Sequence, residues 1–143
     1  MKKTALLLVL FLCLGAFCEE VNIDYPFEKF SAMIEEYNPE GYYLMGCDND
    51  EEGYAAVYMK GFENIFTISL IPDSDFDIDE AAKAFTLNKQ KAYYIEEESE
   101  EAMIGILFVH YPKNKMYCVL MEAPLVNGET KERLIAHFEQ LKF

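Results

Sequence analysis

Residues 102–111 read AMIGILFVHY, and this stretch decides the fold. Side chains of a β-strand alternate between its two faces, and here both alternating sets are apolar. A strand at a solvated sheet surface carries one polar face, whereas a strand with two apolar faces is buried on both sides. The sequence therefore predicts a sheet that is covered on both sides at this strand.

The segments around this strand predict an α+β fold. Five further strands are predicted at about 42–47, 54–60, 65–71, 89–96 and 116–123, separated by turns rich in Gly, Pro, Asn and acidic residues. A first helix is predicted after Asp24 and Pro26, and a second after a capping box at 77–80, over Ala81–Phe85. A C-terminal helix carries one apolar stripe, formed by Leu134, Ile135, Phe138 and Leu141. We expect about six antiparallel strands with this last helix packed on the sheet.

The two halves of the chain predict an internal repeat. Residues 24–72 and 77–124 each follow the order α-β-β-β, offset by about 50 residues, so that Asn64 matches Asn114. A duplication explains these matches, and two unrelated meanders that share turn chemistry are the alternative.

Length and charge narrow the function classes. The chain has 143 residues and a net charge of -14, from 26 acidic and 12 basic side chains. This balance would repel a phosphate backbone, so nucleic acid is excluded as a partner. The length fits one domain, which we assign to residues 19–143.

The N-terminus predicts export. Lys2 and Lys3 precede an unbroken apolar run of 14 residues that ends at Cys18. A membrane-spanning helix needs about 20 residues, so this run is typical of a secretory signal peptide, residues 1–18. We expect its removal and a periplasmic or secreted protein.

Cys18 introduces an alternative fate for the new N-terminus. An apolar stretch followed by Gly15, Ala16 and then a cysteine resembles the signal of bacterial lipoproteins, which implies lipid attachment at Cys18. Phe17 departs from that pattern, which has a small residue directly before the cysteine.

Few residues could carry catalysis or redox chemistry. Cys47 and Cys118 would remain after cleavage; they predict either a disulfide or two buried thiols. A couple of Cys118 with His110 is conceivable on adjacent strands, against the plainer interpretation of a buried thiol and a histidine at the sheet edge.

The acidic turn at 48–53 is the best metal candidate, and it is weak. Asp48, Asp50 and Glu52 occupy positions 1, 3 and 5 of an EF-hand-like calcium loop, but position 12 is Met59 rather than a bidentate Glu. A solvated hairpin turn explains the same residues. No cofactor motif is present, so we expect no cofactor.

We therefore expect a non-enzymatic exported binding module. Helices on one side of the sheet would leave an apolar back, which a protein, a small apolar ligand or a second copy in a homodimer would cover. Tyrosines are common at binding hot spots, and those expected to form the interaction surface are Tyr54, Tyr58, Tyr93 and Tyr94. The alternatives are a small exported hydrolase and a lipidated structural protein of the envelope.

Overall fold

The computed structural model describes residues 21–78, 82–100, 102–124 and 129–143. Within these ranges seven antiparallel strands form one sheet: β1 (Tyr43–Asp50), β2 (Gly53–Lys60), β3 (Asn64–Pro72), β4 (Lys83–Leu87), β5 (Gln90–Glu98), β6 (Met103–Tyr111) and β7 (Met116–Ala123). The same ranges contain two α-helices, α1 (Phe27–Glu36) and α2 (Thr130–Gln140). The α+β class is confirmed. The predicted signal peptide, 1–18, with Cys18, lies outside the described residues.

The strands are arranged as two meanders that meet at one pairing. The sheet order is β1-β2-β3-β7-β6-β5-β4, so every neighbouring pair except β3 and β7 is consecutive in the chain. The β3–β7 pairing, here called the seam, runs from Ile65 opposite Ala123 to Pro72 opposite Met116. The seam therefore joins the N-terminal and C-terminal halves of the molecule into one sheet.

Both helices pack on the same face of this sheet. Helix α1 contacts β1 and β2, and α2 contacts β6 and β7. Each helix buries residues spaced four apart, Phe30 and Ile34 in α1 and Leu134 and Phe138 in α2. This spacing places each pair on one side of its helix, as the sequence pattern predicted. None of the helices in the described ranges is long and apolar enough to cross a bilayer.

The opposite face carries a second apolar cluster. Ile104, Ile106 and Phe108 of β6 lie there together with residues of β7, and Phe76 is partly buried against them. The intervening β6 residues, such as Leu107, belong to the core under the helices. Strand β6 is thus buried on both faces, as its sequence predicts. Phe76 and Ile78 of the same chain pack against part of the apolar back that we expected a partner to cover.

Four of the six exposed large apolar side chains in the described residues lie at one end of the sheet, and the other two are Met103 and Phe143. Tyr43, Leu44 and Met45 are exposed at the beginning of the edge strand β1, and Phe62 is 99% exposed in the β2–β3 turn. The register is irregular between Leu44 and Gly46, which is a local distortion of this edge. Since Tyr43 lies opposite Met59, near the end of β2, these exposed residues are at the same end of the sheet.

The predicted second helix is wrong. Lys83–Leu87 form strand β4, which pairs with β5 through a two-residue turn at Asn88 and Lys89. Both turn residues have positive φ, at 49° and 66°, as a tight hairpin turn requires. The hairpin gives β4 a ladder of backbone hydrogen bonds and buries Leu87, which outweighs the helical propensity of the alanines before it.

The sheet consequently has seven strands rather than about six, and the duplication is not confirmed. The second half of the chain begins its meander with β4 where the proposed repeat has a helix. The six predicted strands correspond to β1, β2, β3, β5, β6 and β7, and β4 is the strand that was not predicted.

Two phenylalanines test the packing of α1. Phe30 is 0% exposed and Phe62 is 99% exposed. We expect Phe30→Ala to lower the free energy of unfolding by about 3–5 kcal/mol because it leaves a cavity between α1 and the sheet. Phe62→Ala should change it by less than about 0.5 kcal/mol. Urea unfolding measures both, and equal effects would contradict the assigned core.

Candidate functional site

A cavity of about 610 Å³ opens between the ends of the two helices and the sheet. The end of α1 and the loop after it form one side, α2 forms another, and the ends of β2 and β7 and the start of β3 form the floor. Most of the lining side chains are polar or aromatic: Tyr37, Asn38, Pro39, Glu40, Tyr42, Lys60, Asn64, Glu122, Arg133, His137 and Gln140.

His137 is held in a fixed orientation within this cavity. Its ring is stacked on Phe66 of β3, with ring centroids 4.5 Å apart. Its Nδ1 is hydrogen-bonded to the Tyr37 hydroxyl, and the Tyr37 and Tyr42 rings stand at 89° to the imidazole. Three aromatic neighbours and one hydrogen bond therefore define the position of the ring.

The Tyr37–His137 pair is neutral near pH 7. Burial lowers the pKa of His137 below its ordinary value, and Arg133 lowers it further while Glu122 acts in the opposite direction. Burial also raises the pKa of the Tyr37 hydroxyl well above its usual value. The phenol keeps its proton, and in the described residues His137 is its one hydrogen-bond partner. We therefore assign the hydroxyl as the donor to Nδ1, which places the imidazole proton on Nε2.

An ion pair between a buried carboxylate and a partly exposed guanidinium forms the floor beside His137. Glu122, near the end of β7, is only 5% exposed. Arg133 of α2 donates from Nε to both carboxylate oxygens of Glu122, at 3.2 Å each, and from Nη2 to the Thr130 hydroxyl at 3.0 Å. The pair neutralises both charges and ties α2 to the sheet.

Lys60, the last residue of β2, also lines the cavity. Its Nζ is 5.8 Å from the centroid of the Tyr42 ring, a cation–π arrangement. The Lys60 chain passes close to Gly41, whose φ of +80° favours glycine. A Cβ at position 41 would lie 3.2 Å from Lys60 Cε, so the glycine leaves room for the lysine.

The four tyrosines expected at an interaction surface do not come together on one surface. Tyr54 and Tyr58 are buried under α1. The Tyr54 hydroxyl donates to the backbone carbonyl of Tyr25 at 2.8 Å, and the Tyr58 hydroxyl donates to that of Ile34. Tyr93 and Tyr94 are half-buried on opposite faces of β5, since Tyr94 packs on the core under the helices and Tyr93 on the second cluster. An interaction surface would have to rest on one of these two.

The predicted disulfide between Cys47 and Cys118 is not formed, and both cysteines are free. Cys47 lies on β1 and Cys118 on β7, with β2 and β3 between them. Three interstrand spacings separate them by about 14 Å, beyond the ~7 Å that a disulfide permits. Burial raises the pKa of the Cys47 thiol to about 11, so it is not a reactive thiolate at neutral pH.

The Cys118–His110 couple is also not formed. Cys118 is completely buried in the core under the helices, whereas His110 lies on the opposite face of the sheet. There His110 stacks on Tyr117 at 4.6 Å, and its Nε2 is 3.0 Å from Asp73. The two side chains therefore cannot act on one substrate.

The acidic turn residues stabilise a hairpin. Asp48 accepts a hydrogen bond from the Asn49 amide and Asp50 accepts one from the Glu52 amide, both at 2.8 Å. Throughout the described part of the chain, no three His, Cys, Asp or Glu side chains form a group that could hold a metal ion. Burial raises the pKa of Asp50 and of Glu52; repulsion from Asp48 raises the pKa of Asp50 further, and repulsion from Asp50 and Glu51 does the same for Glu52.

The cavity could not be predicted from the apolar stripe of α2, which accounts only for the side of the helix that packs in the core. Two signals were available. Arg133 and His137 are four residues apart, so they share one side of the helix, and Glu122 is a lone acid in the otherwise apolar strand 116–123. A buried acid requires a partner, and Arg133 provides it.

The depressed pKa of His137 predicts a pH-dependent stability. A histidine whose folded pKa lies below its unfolded value of 6.5 contributes stability above that pH and loses it as the pH falls. We expect the free energy of unfolding to decline as the pH falls from about 6.5 toward 5, and His137→Gln to reduce that decline.

A proton NMR titration of His137 checks the same assignment directly. Its pKa should lie below 6.5, and Tyr37→Phe should raise it because the neutral ring loses its hydrogen-bond donor. A wild-type pKa above 6.5, or one that Tyr37→Phe leaves unchanged, would contradict the neutral pair.

No protein-family model matches the chain, and no curated protein matches it either. The function therefore has to be argued from the chemistry and geometry of the cavity.

Proposed function

We propose that this chain is an exported, non-enzymatic binding protein that holds a small ligand in the cavity between α1, α2 and the sheet. The observation that carries the proposal is the cavity lining: the buried carboxylate of Glu122, paired with Arg133, beside an oriented histidine, His137. A buried charge costs free energy, and apolar residues of similar volume in place of an ion pair often leave a protein at least as stable. Packing alone therefore gives little reason for Glu122 and Arg133 at this position. Convergent polar groups in a concave site are typical of ligand recognition.

The size and lining of the cavity favour a small molecule with polar groups. A volume of about 610 Å³ lies within the usual range for small-ligand sites, roughly 300–1,000 Å³. A wholly apolar ligand would leave the polar atoms of the lining without partners, so the lining makes such a ligand a poorer fit than the sequence suggested. Tyr37 and Tyr42 offer apolar ring surface to the rest of the molecule.

The composition of the lining supports binding over hydrolysis. None of the described residues that line the cavity is a serine, threonine or cysteine, and the nearby Thr130 hydroxyl is buried and bonded to Arg133, so the lining offers none of the nucleophiles usual in covalent catalysis. The alternative of a small hydrolase rested on His110 and Cys118, which lie on opposite faces of the sheet.

Two tryptophan variants on α2 test the proposal. Gln140 lines the cavity, while its neighbour Glu139 is also exposed and does not line it. Native mass spectrometry of the protein from its own host should show an added ligand mass in the wild type and in Glu139→Trp. Gln140→Trp should lose that mass because the indole occupies the cavity.

Two results would overturn the cavity as the binding site. One is a wild-type protein without any added mass, and the other is a mass that both variants retain equally. The same spectra report cleavage before Glu19, an acyl chain on Cys18, and a homodimer, which are the other proposals made from the sequence.

A further inference from the structure

The cavity presents hydrogen-bond donors that the protein itself leaves unused. Tyr37 occupies Nδ1 of His137, and the imidazole proton is therefore on Nε2. In the described part of the chain, Nε2 has no hydrogen-bond partner. A neutral, oriented N–H in a concave site is a donor that awaits an acceptor from outside the chain.

Lys60 provides the second donor and a positive charge. Across the described ranges, Arg133 is paired with Glu122 and Lys142 with Glu36, while Lys60 makes no ion pair. Its position beside the Tyr42 ring and against Gly41 keeps the ammonium at the cavity. A lysine held in this way is a point charge suited to an oxyanion.

The acidic side chains that line the cavity do not neutralise the Lys60 ammonium. Glu122 is neutralised by Arg133 through two hydrogen bonds. Glu40, the other acid in the lining, is exposed to solvent, where water and salt screen it. The local balance in the cavity is therefore close to zero, in contrast to the net charge of -14 of the whole chain.

We propose that the ligand of this cavity is a small organic carboxylate, whose oxygens accept hydrogen bonds from His137 Nε2 and Lys60 Nζ. This inference rests on the proposed function, since it names the class of ligand for the same cavity. The aromatic rings of Tyr37 and Tyr42 accommodate a flat or apolar part of that molecule. The carboxylate accepts and the protein donates, so no proton is transferred on binding.

The acidic surface gives carboxylate binding a recognisable salt dependence. A charge of -14 repels an approaching anion over distances of about the Debye length, which is ~10 Å at 0.1 M salt. Contacts with His137 and Lys60 form only at the end of that approach. We therefore expect association to become faster as salt is raised from about 0.02 to 0.15 M, the reverse of ordinary electrostatic steering.

Benzoate and benzamide form a matched pair of probes for the ligand class. They share a ring and size, and differ in the carboxylate. We titrate each into the full chain labelled with ¹⁵N-histidine at pH 7.5 and follow the ring nitrogens of His137. Benzoate should shift His137 Nε2 and bind at least about tenfold more tightly than benzamide, because its hydrogen bonds are charge-assisted. His110, on the opposite face, is an internal control and should not shift.

Two lysine variants test the role of Lys60. Lys91 also lies over a tyrosine ring, with its Nζ 5.4 Å from the centroid of Tyr93, but it is not part of the cavity. Lys60→Met should weaken benzoate binding about tenfold and leave benzamide binding nearly unchanged. Lys91→Met should leave both unchanged.

The outcomes separate this inference from the proposed function. Tetramethylammonium, titrated in the same way, is a third probe that carries a positive charge. If benzamide or tetramethylammonium shifts His137 as strongly as benzoate does, the cavity binds ligands but the carboxylate assignment is wrong. Equal losses in Lys60→Met and Lys91→Met would also overturn that assignment. If none of the three probes shifts His137, and the protein from its host carries no added mass, the binding function itself is wrong.

Discussion

The pairing of β3 with β7 is the constraint on which the rest of the structure depends. It joins two meanders that would otherwise be separate sheets, and it sets Phe66 opposite Glu122. Both residues lie on the face that the helices cover, because Arg133 and His137 of α2 reach them there. A shift of one residue in this register would turn Glu122 to the other face, away from Arg133. The position of the cavity floor thus follows from a backbone register.

Helix α2 packs over these paired strands and places its side chains against Phe66 and Glu122. Its apolar side, with Leu134 and Phe138, packs in the core, and the adjacent side carries Arg133 to Glu122 and His137 to Phe66. The end of α1 completes the site through Tyr37, so residues about 100 positions apart meet at one imidazole. Polar groups drawn from both halves of the chain line the cavity for this reason. An acidic protein thereby obtains one concave region with nearly balanced charge.

Local patterns in the sequence were sufficient for most elements and insufficient for the site. Strand-forming runs bounded by turn residues identified six strands, and cap residues and an apolar stripe identified α1 and α2. The helix prediction for 81–85 was wrong because the alanines and the preceding acids favour a helix locally. The pairing of β4 with β5 depends on residues further along the chain. The cavity was not predicted, for a related reason. Only the order of the strands places Glu122 beneath α2, and it also separates Cys47 from Cys118 by two strands. Strand order is not encoded in any single segment.

A double-mutant cycle on the ion pair measures the central claim, that Glu122 and Arg133 fix α2 over the seam. The variants are Glu122→Gln, Arg133→Met and their combination, compared by urea unfolding at pH 7.5. Arg133→Met leaves the buried Glu122 carboxylate without its partner and should cost about 3 kcal/mol. Glu122→Gln leaves the Arg133 guanidinium, whose side chain is 33% exposed, and should cost less, about 1–2 kcal/mol. The double variant should be more stable than the sum predicts by about 2 kcal/mol. Effects that add to within about 0.5 kcal/mol would mean that the two side chains do not interact, and the cavity as described would lose its floor.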